Sequence, residues 1–294
     1  MEPNTGIAAR GQAWRNLLDT PRPLIMGVVN VTPDSFSDGG HFFAADAALA
    51  QGRALAAAGA DILDIGGEST RPFADPVPLD EELRRVIPVI ETLSREVGLP
   101  ISIDTYKAPV ARAALAAGAA IINDISALRF DPEMAPLAAV HQAPVVLMHM
   151  QGEPKDMQVK PHYDDLFGEI KTFFQERLEF AVSQGIPRES LVLDPGIGFG
   201  KTLEHNLEII NRLDEFLDLG CPLLLGPSRK AFIGHLTGQP AGPERDAGTL
   251  AALAVGVLRG AKIVRTHNAA YTRQFLDVLQ AIISAGSQED RVNK

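Results

Sequence analysis

The sequence predicts a single (β/α)8 TIM barrel with a short N-terminal arm, and three observations carry that expectation. Short apolar runs alternate with longer helical patterns from one end of the 294 residues to the other. The alternation makes eight strand–helix pairs, the signature of a parallel sheet wrapped by helices. Three helical stretches stop at a Gly-Ala pair directly before an apolar run: Gly59-Ala60, Gly118-Ala119 and Gly260-Ala261. Glycine there can take the left-handed conformation that ends a helix. A doubly wound sheet is the competing architecture, but no G-x-G-x-x-G follows the first run.

The apolar runs mark strands near 24–30, 61–66, 100–104, 120–123, 144–149, 191–194, 222–226 and 261–265. Helices are expected near 44–58, 79–97, 107–117, 132–141, 163–184, 203–218, 244–259 and 269–285. The second helix shows its core stripe plainly. Leu83, Val86, Ile87, Ile90, Leu93 and Val97 recur at three- and four-residue steps. Asp80, Glu81 and Glu82 fall in its first turn, at the positive end of the helix dipole. Residues 1–22, with Trp14, are expected to form the arm, 23–286 the barrel and 287–294 a C-terminal tail.

Composition narrows the function classes. Apolar residues make up 46% of the chain, enough for a large core. The net charge of −10 argues against a nucleic-acid binder, which would carry a basic surface. It does not exclude anionic small substrates, for which a few local Arg and Lys residues suffice. The lone Cys221 allows no disulfide within the chain and reads as a small buried hydrophobe. The N-terminus lacks the basic and apolar regions of a secretory signal, and no stretch has the length of a membrane span. A cytoplasmic location is expected.

In such barrels the active site lies at the C-terminal ends of the strands. Read in order, those ends carry Asn30, Glu68-Ser69-Thr70-Arg71, Asp104, Asn123-Asp124, Met148-His149, Asp194, Ser228-Arg229-Lys230, and Arg265 with His267. One Asp at such a place can simply cap the next helix. Eight coincident cases point to a shared polar pocket. Arg71, Lys230, Arg265 and His267 could converge on an anion such as phosphate. Asp104, Asp194 and Asn123 suit the amino and lactam edges of a nitrogen heterocycle. Asn30 offers a neutral oxygen to Mg²⁺, which commonly bridges to substrate phosphate.

Two long loops, Thr32–Gly40 and Arg71–Pro78, have the turn-rich composition of active-site lids. The segment Asp194–Thr202 fails as a P-loop because Pro195 stands where glycine is required. Its glycines are expected to let backbone approach a ligand, with Phe199 as an aromatic wall.

At eight places the sequence resembles the dihydropteroate synthase family. The segments are MGVVNVTPDSFSDGG (26–40), DIGGESTRP (64–72), ISIDTYK (101–107), INDIS (122–126), LMHMQGEPKDMQ (147–158), LDPGIGFGKT (193–202), GPSRKAFIG (226–234) and VRTHN (264–268). The resemblance runs in family order from about residue 23 to 285. It implies condensation of a dihydropterin pyrophosphate with p-aminobenzoate, with Mg²⁺ as cofactor. By the same resemblance Asp104, Asn123, Met148, Asp194 and Lys230 hold the pterin. Asn30, Arg265 and His267 hold the pyrophosphate, with Asn30 on the metal. Thr70, Arg71, Pro72, Phe199 and Ser228 face p-aminobenzoate, and Phe36 and Asp38 belong to the first lid. Catalytic roles fall to Asp104, Lys230, Arg265, His267 and Asp38. A homodimer through the last helices is implied as well, although most apolar residues there (Leu250, Leu253, Val255, Val257, Phe275, Val278, Leu279 and Ile282) read as barrel core.

Two residues depart from the family pattern. Phe73 stands where glycine usually follows Arg-Pro, and Ala231 where a serine often follows the lysine. Both bear on p-aminobenzoate affinity and sulfonamide response. Two rival readings share the pterin-holding residues: a methyltetrahydrofolate:corrinoid methyltransferase and a non-catalytic pterin-binding paralogue. The Thr-Pro-Asp-Ser-Phe-Ser-Asp loop, Ser-Thr-Arg-Pro and Ser-Arg-Lys favour the synthase over the first.

Overall fold

Successive strand residues point to opposite faces of a sheet, and here both faces are covered, so the strands read as continuous apolar runs. The computed structural model describes residues 4–31, 41–69 and 75–286. Its strands are β1 (Leu24–Asn30), β2 (Ile62–Gly66), β3 (Ile101–Asp104), β4 (Ile121–Asp124), β5 (Val145–Met148), β6 (Leu191–Asp194), β7 (Leu223–Leu225) and β8 (Ala261–Thr266). They form a closed barrel in chain order, and β8 pairs parallel with β1.

The helices are α1 (Asn4–Leu18), α2 (His41–Ala57), α3 (Leu79–Glu96), α4 (Ala108–Ala117), α5 (Met134–His141), α6 (Leu166–Ser183), α7 (Leu203–Asn211), α8 (Ala231–Thr237), α9 (Asp246–Leu258) and α10 (Ala269–Gly286). Outward strand residues such as Leu63, Ile65, Ile103, Leu147 and Leu193 pack into one large cluster with the helices. The α3 stripe behaves as its spacing predicts: Val86, Ile90 and Leu93 are fully buried, and Leu83, Ile87 and Val97 pack partly buried against the same cluster.

Inward residues form a second, smaller cluster. Leu24, Met26, Ile62, Ile121, Val146, Val192, Leu224 and Ile263 fill the N-terminal half of the barrel, and Trp14 of α1 packs into them from outside. The N-terminal segment thus includes a helix with a buried aromatic anchor. The three Gly-Ala pairs end helices as expected, with φ of +89°, +116° and +93° at Gly59, Gly118 and Gly260.

Other elements also differ from the sequence expectation. The helix expected over 203–218 stops at Asn211, and a 3-10 helix follows over Leu213–Leu219. Leu213, Phe216 and Leu219 are its buried residues, and a three-residue repeat aligns on one face of a 3-10 helix but not of an α-helix. The short α8, which buries Phe232 and Ile233, was not expected. On α9 and α10 only Leu253 of the eight apolar residues named above is fully buried; Val255, Val278 and Ile282 are exposed, which corrects their reading as core.

Candidate active site

The alternation that places Ile62 and Val192 inside the barrel also sends every second residue beyond them inward. At the C-terminal mouth those residues are Asn30, Gly66, Asp104, Asn123, Met148, Asp194 and Arg265. Register brings them level: Gly66 lies beside Asp104, Asp104 beside Asn123, and Met148 beside Asp194. A polar set on adjacent strands therefore follows from strand parity.

A charge network ties this set together. Arg265 donates through Nε to Asp64 Oδ2 at 2.6 Å and through Nη2 to Asp104 Oδ2 at 2.8 Å. Asn123 Nδ2 donates to the same Asp64 oxygen at 3.0 Å. Asp64 is fully buried and absent from the sequence-based site. Its signal was a charged residue in the middle of an apolar strand, where an acid is rarely buried unpaired. Each carboxylate keeps one buried oxygen without a partner, Asp64 Oδ1 and Asp104 Oδ1. A buried acceptor left open is costly unless a ligand fills it, so the pair suits N–H donors of a polar heterocycle.

Burial pushes the Asp104 carboxyl up to about 7, helped by Asp64 and Glu82 and opposed by Arg265 and Lys230. Asp194 is also pushed up by burial, against a hydrogen bond of 2.7 Å from Gly196 N–H and the pull of Lys230 and Arg265. In both acids nearby cations oppose the desolvation that favours the neutral form.

One side of the mouth is apolar. Met148 and Phe199 pack with Ile125, Met150 and Met157. The Lys230 ammonium sits 4.2 Å from the Phe199 ring centroid, within cation–π range. Phe199 is buried and serves as a platform under Lys230 as well as a wall. On the other side Ser228 Oγ and His267 Nδ1 lie 2.9 Å apart, and Ser228 Oγ also accepts from His267 N–H at 3.2 Å. Burial and the cations Arg265, Arg229 and Lys230 push the His267 imidazole down to about 3, so at neutral pH it is an uncharged hydrogen-bonding group.

Several strand-end residues turn out to be structural. Asp124 accepts from Ser126 N–H, Ser126 Oγ and Leu128 N–H, shaping the loop after β4. His149 is buried, with Nδ1 3.0 Å from Lys201 Nζ and its ring edge-on to Phe173. Glu68 pairs with Lys107 at 2.6 Å. The glycines of the β6 loop make close approaches to the chain itself. A Cβ on Gly196 would lie 2.1 Å from the His149 carbonyl oxygen, and one on Gly200 2.6 Å from that of Gln151. Chain packing alone therefore demands glycine at those two, whereas Gly198 borders the Lys230 side chain. Phe36, Asp38, Thr70, Arg71, Pro72 and Phe73 lie outside the described residues.

An eight-stranded barrel whose mouth holds acids, an amide and an arginine beside an apolar shelf suits a ligand with both polar edges and an apolar face. Comparison with known proteins identifies the class. The family pattern described as "Pterin binding enzyme" matches residues 26–267. The dihydropteroate synthase of a Synechocystis species is 48% identical over 261 residues, covering 89% of this chain and 90% of that protein. A structure of Xanthomonas albilineans dihydropteroate synthase with 4-aminobenzoic acid superposes with a TM-score of 0.85 at 50% identity, covering 91% of this chain and 94% of that one. A Yersinia pestis dihydropteroate synthase in complex with a sulfonamide drug gives a TM-score of 0.85 at 44% identity, with 90% and 95% covered. The chain belongs to the pterin-binding enzyme family and, within it, to the dihydropteroate synthases. It is therefore a transferase, and these relatives support the synthase over the corrinoid methyltransferase.

Proposed function

We propose that the mouth residues divide the work of dihydropteroate synthesis between a pterin side and an anion side. Asp104, Asn123, Asp194, Met148 and Lys230 hold 6-hydroxymethyl-7,8-dihydropterin. Arg265 and His267 hold its pyrophosphate, with Arg265 as the cation and His267 as a neutral partner. Ser228 and Phe199 face p-aminobenzoate, together with Thr70, Arg71 and Pro72. Phe36 and Asp38 complete the site from the first loop. The observation that carries this reading is the open oxygen of Asp104, buried and paired through its other oxygen to Arg265.

The chemistry follows from that pairing. The C–O bond between the pterin methylene and pyrophosphate breaks, leaving positive character that the ring spreads. Asp104 stabilises it, and Arg265 stabilises the departing anion; such preorganised charges act where charge develops. The p-aminobenzoate nitrogen then forms the C–N bond and afterwards loses its proton. The amine is uncharged at neutral pH, so it needs placement more than deprotonation. No covalent enzyme intermediate is required.

Among the described residues, Asn30 is the group we assign to Mg²⁺. Asn30 ends β1 at the mouth, and among the described residues no group of three His, Cys, Asp or Glu side chains could hold a metal alone. One neutral oxygen suits an ion that keeps several waters and binds mainly to substrate phosphate. When bound, it would neutralise pyrophosphate charge.

The assay that tests the reading supplies the pterin pyrophosphate and p-aminobenzoate and follows pyrophosphate release and dihydropteroate formation. A corrinoid methyltransferase or a non-catalytic paralogue would give neither. Sulfonamides should compete with p-aminobenzoate in the same assay. A cytoplasmic location belongs to the same proposal; among the described residues no helix is long and apolar enough to cross a membrane.

The proposal extends to a homodimer through α9 and α10. Leu258, Tyr271, Val278 and Ile282 stand exposed there, and contiguous exposed apolar surface marks interaction sites. Light scattering of wild type against Val278→Asp/Ile282→Asp tests it; an unchanged monomeric mass in both would overturn it.

A further inference from the structure

Ser228 and Lys230 contribute to the mouth, whereas Arg229 between them turns the other way. Its guanidinium makes a two-pronged pair with buried Asp246 at the start of α9, Nε to Oδ1 at 2.7 Å and Nη2 to Oδ2 at 3.0 Å. Asp246 Oδ2 also accepts from Asn268 Nδ2 at 2.8 Å, and Asn268 directly follows His267. One carboxylate thus grips both the loop that carries Ser228 and Lys230 and the loop that carries His267.

The Arg229 backbone explains why a grip is needed. Its φ is +58°, in the left-handed region, where the Cβ of any residue but glycine crowds a backbone oxygen. Such a conformation persists only where the surroundings over-determine it. Here they do: Arg229 N–H donates to Thr249 Oγ1 at 3.0 Å, and Arg245 Nη1 donates to the carbonyls of Arg229 at 3.2 Å and Lys230 at 3.3 Å. The strained residue lets the chain turn from β7 into α8 across residues 226–230. Ser228 and Lys230 leave that turn toward His267 and Phe199.

We propose that Arg229 and Asp246 are positioning residues for the transfer reaction: their ion pair holds the left-handed turn and locks the β7 and β8 loops at one spacing, which sets Ser228, Lys230 and His267 around the substrates. The inference rests on the roles given above to those three residues.

Four variants of the full-length enzyme test it: Arg229→Ala, Arg229→Gly, Asp246→Asn and Ser228→Ala. Arg229→Ala loses the pair and keeps the strained Cβ. Its kcat/KM for p-aminobenzoate should fall about 100-fold, the scale of a small misplacement of reacting groups. Affinity for a pterin lacking pyrophosphate, whose site keeps Asp104, Asn123, Met148 and Asp194 in place and loses only the setting of Lys230, should fall less than about tenfold on the same argument. Arg229→Gly should recover about fivefold or more over alanine, because glycine takes positive φ without penalty. Asp246→Asn should fall between alanine and wild type.

The proposal is overturned by an Arg229→Ala enzyme within about threefold of wild type, since misplacement would then be absent. Equal losses in turnover and pterin affinity overturn it too, as does a glycine variant no better than alanine. Should the Arg229 variants fail to fold, a folded Asp246→Asn enzyme with wild-type kcat/KM overturns it as well. An unchanged KM for p-aminobenzoate in Ser228→Ala would sink the role of Ser228 instead, leaving the alanine–glycine comparison to judge the ion pair.

Discussion

The two ends of the barrel interior obey the same parity and contain opposite chemistry. At the N-terminal end the inward residues are Leu24, Met26, Ile62, Ile121, Val146, Val192, Leu224 and Ile263, closed over by Trp14. Two residues further along several of the same strands, the inward positions hold Asp64, Asn123, Met148, Asp194 and Arg265. A barrel can therefore assign stability to its floor and chemistry to its mouth, and each strand serves both within a few residues. The mouth keeps orphaned acceptors on Asp64 and Asp104, a cost the apolar floor offsets.

The sharpest way to break this comparison is at Asp104. Asp104→Asn keeps the shape and removes the charge. We expect kcat to fall by roughly 100-fold or more, as for other preorganised electrostatic groups, with little change in thermal stability. Activity within a few-fold of wild type would mean that the mouth binds but does not stabilise charge.

Arg265→Ala comes next. A hydrogen-bonded charge removed from its anion costs about 1.5–3 kcal/mol, or roughly 10- to 150-fold in affinity. Calorimetry should show that loss for the pterin pyrophosphate and a much smaller one for the pterin alone. Equal losses would make Arg265 a strut between Asp64 and Asp104, with no role toward pyrophosphate.

A smaller effect concerns pH. Asp104 is held up to about 7, so kcat/KM for the pterin pyrophosphate should rise as pH increases through that value. Arg265 pulls the Asp104 value down, so Arg265→Met should move this limb to higher pH. His267, at about 3, should add no limb between pH 5 and 9. A limb that stays put in Arg265→Met would assign it to another group or to the substrate.

How much of this was legible in the sequence depends on parity. Asp104, Asp194 and Arg265 announce themselves as charges ending apolar strands, and all three point inward. Asp124 and His149 look the same in the sequence but follow the inward residues Asn123 and Met148 by one position, so they leave the pocket. Counting by twos from the floor would have separated them. Asp64 escaped because it lies inside its strand, where an apolar neighbour on each side hides an inward acid. Helix α1 escaped because Gly6 and Gly11 lower its intrinsic helicity; its packing through Trp14 is tertiary. The Arg229 brace was invisible because it joins residues from two loops and a helix, and no local pattern reports a left-handed arginine.

The smallest expected effect on turnover belongs to the floor, and it tests the comparison from the other side. Trp14 is 4% exposed and belongs to one cluster with Leu24, Ile62, Ile121 and Val192, residues whose strands carry the site at their far ends. Trp14→Ala should destabilise the fold by about 3–5 kcal/mol, the usual cost of emptying a large aromatic site. Turnover per folded molecule should stay within about twofold, because nothing at the floor touches the mouth and distant sites behave independently. Trp14→Phe separates packing from polarity. The Trp14 indole N–H is buried without a partner, so phenylalanine forfeits no hydrogen bond and spares the desolvation of that group. It gives up only part of the ring volume, and its cost should be well under half that of alanine. Denaturant melts of the three proteins, with kcat measured below the transition, decide the matter. If Trp14→Ala lowers kcat as much as Arg265→Ala does, floor and mouth are coupled and the division of labour drawn from strand parity is wrong. If Trp14→Phe is as damaging as alanine, the indole N–H has a role that packing does not explain.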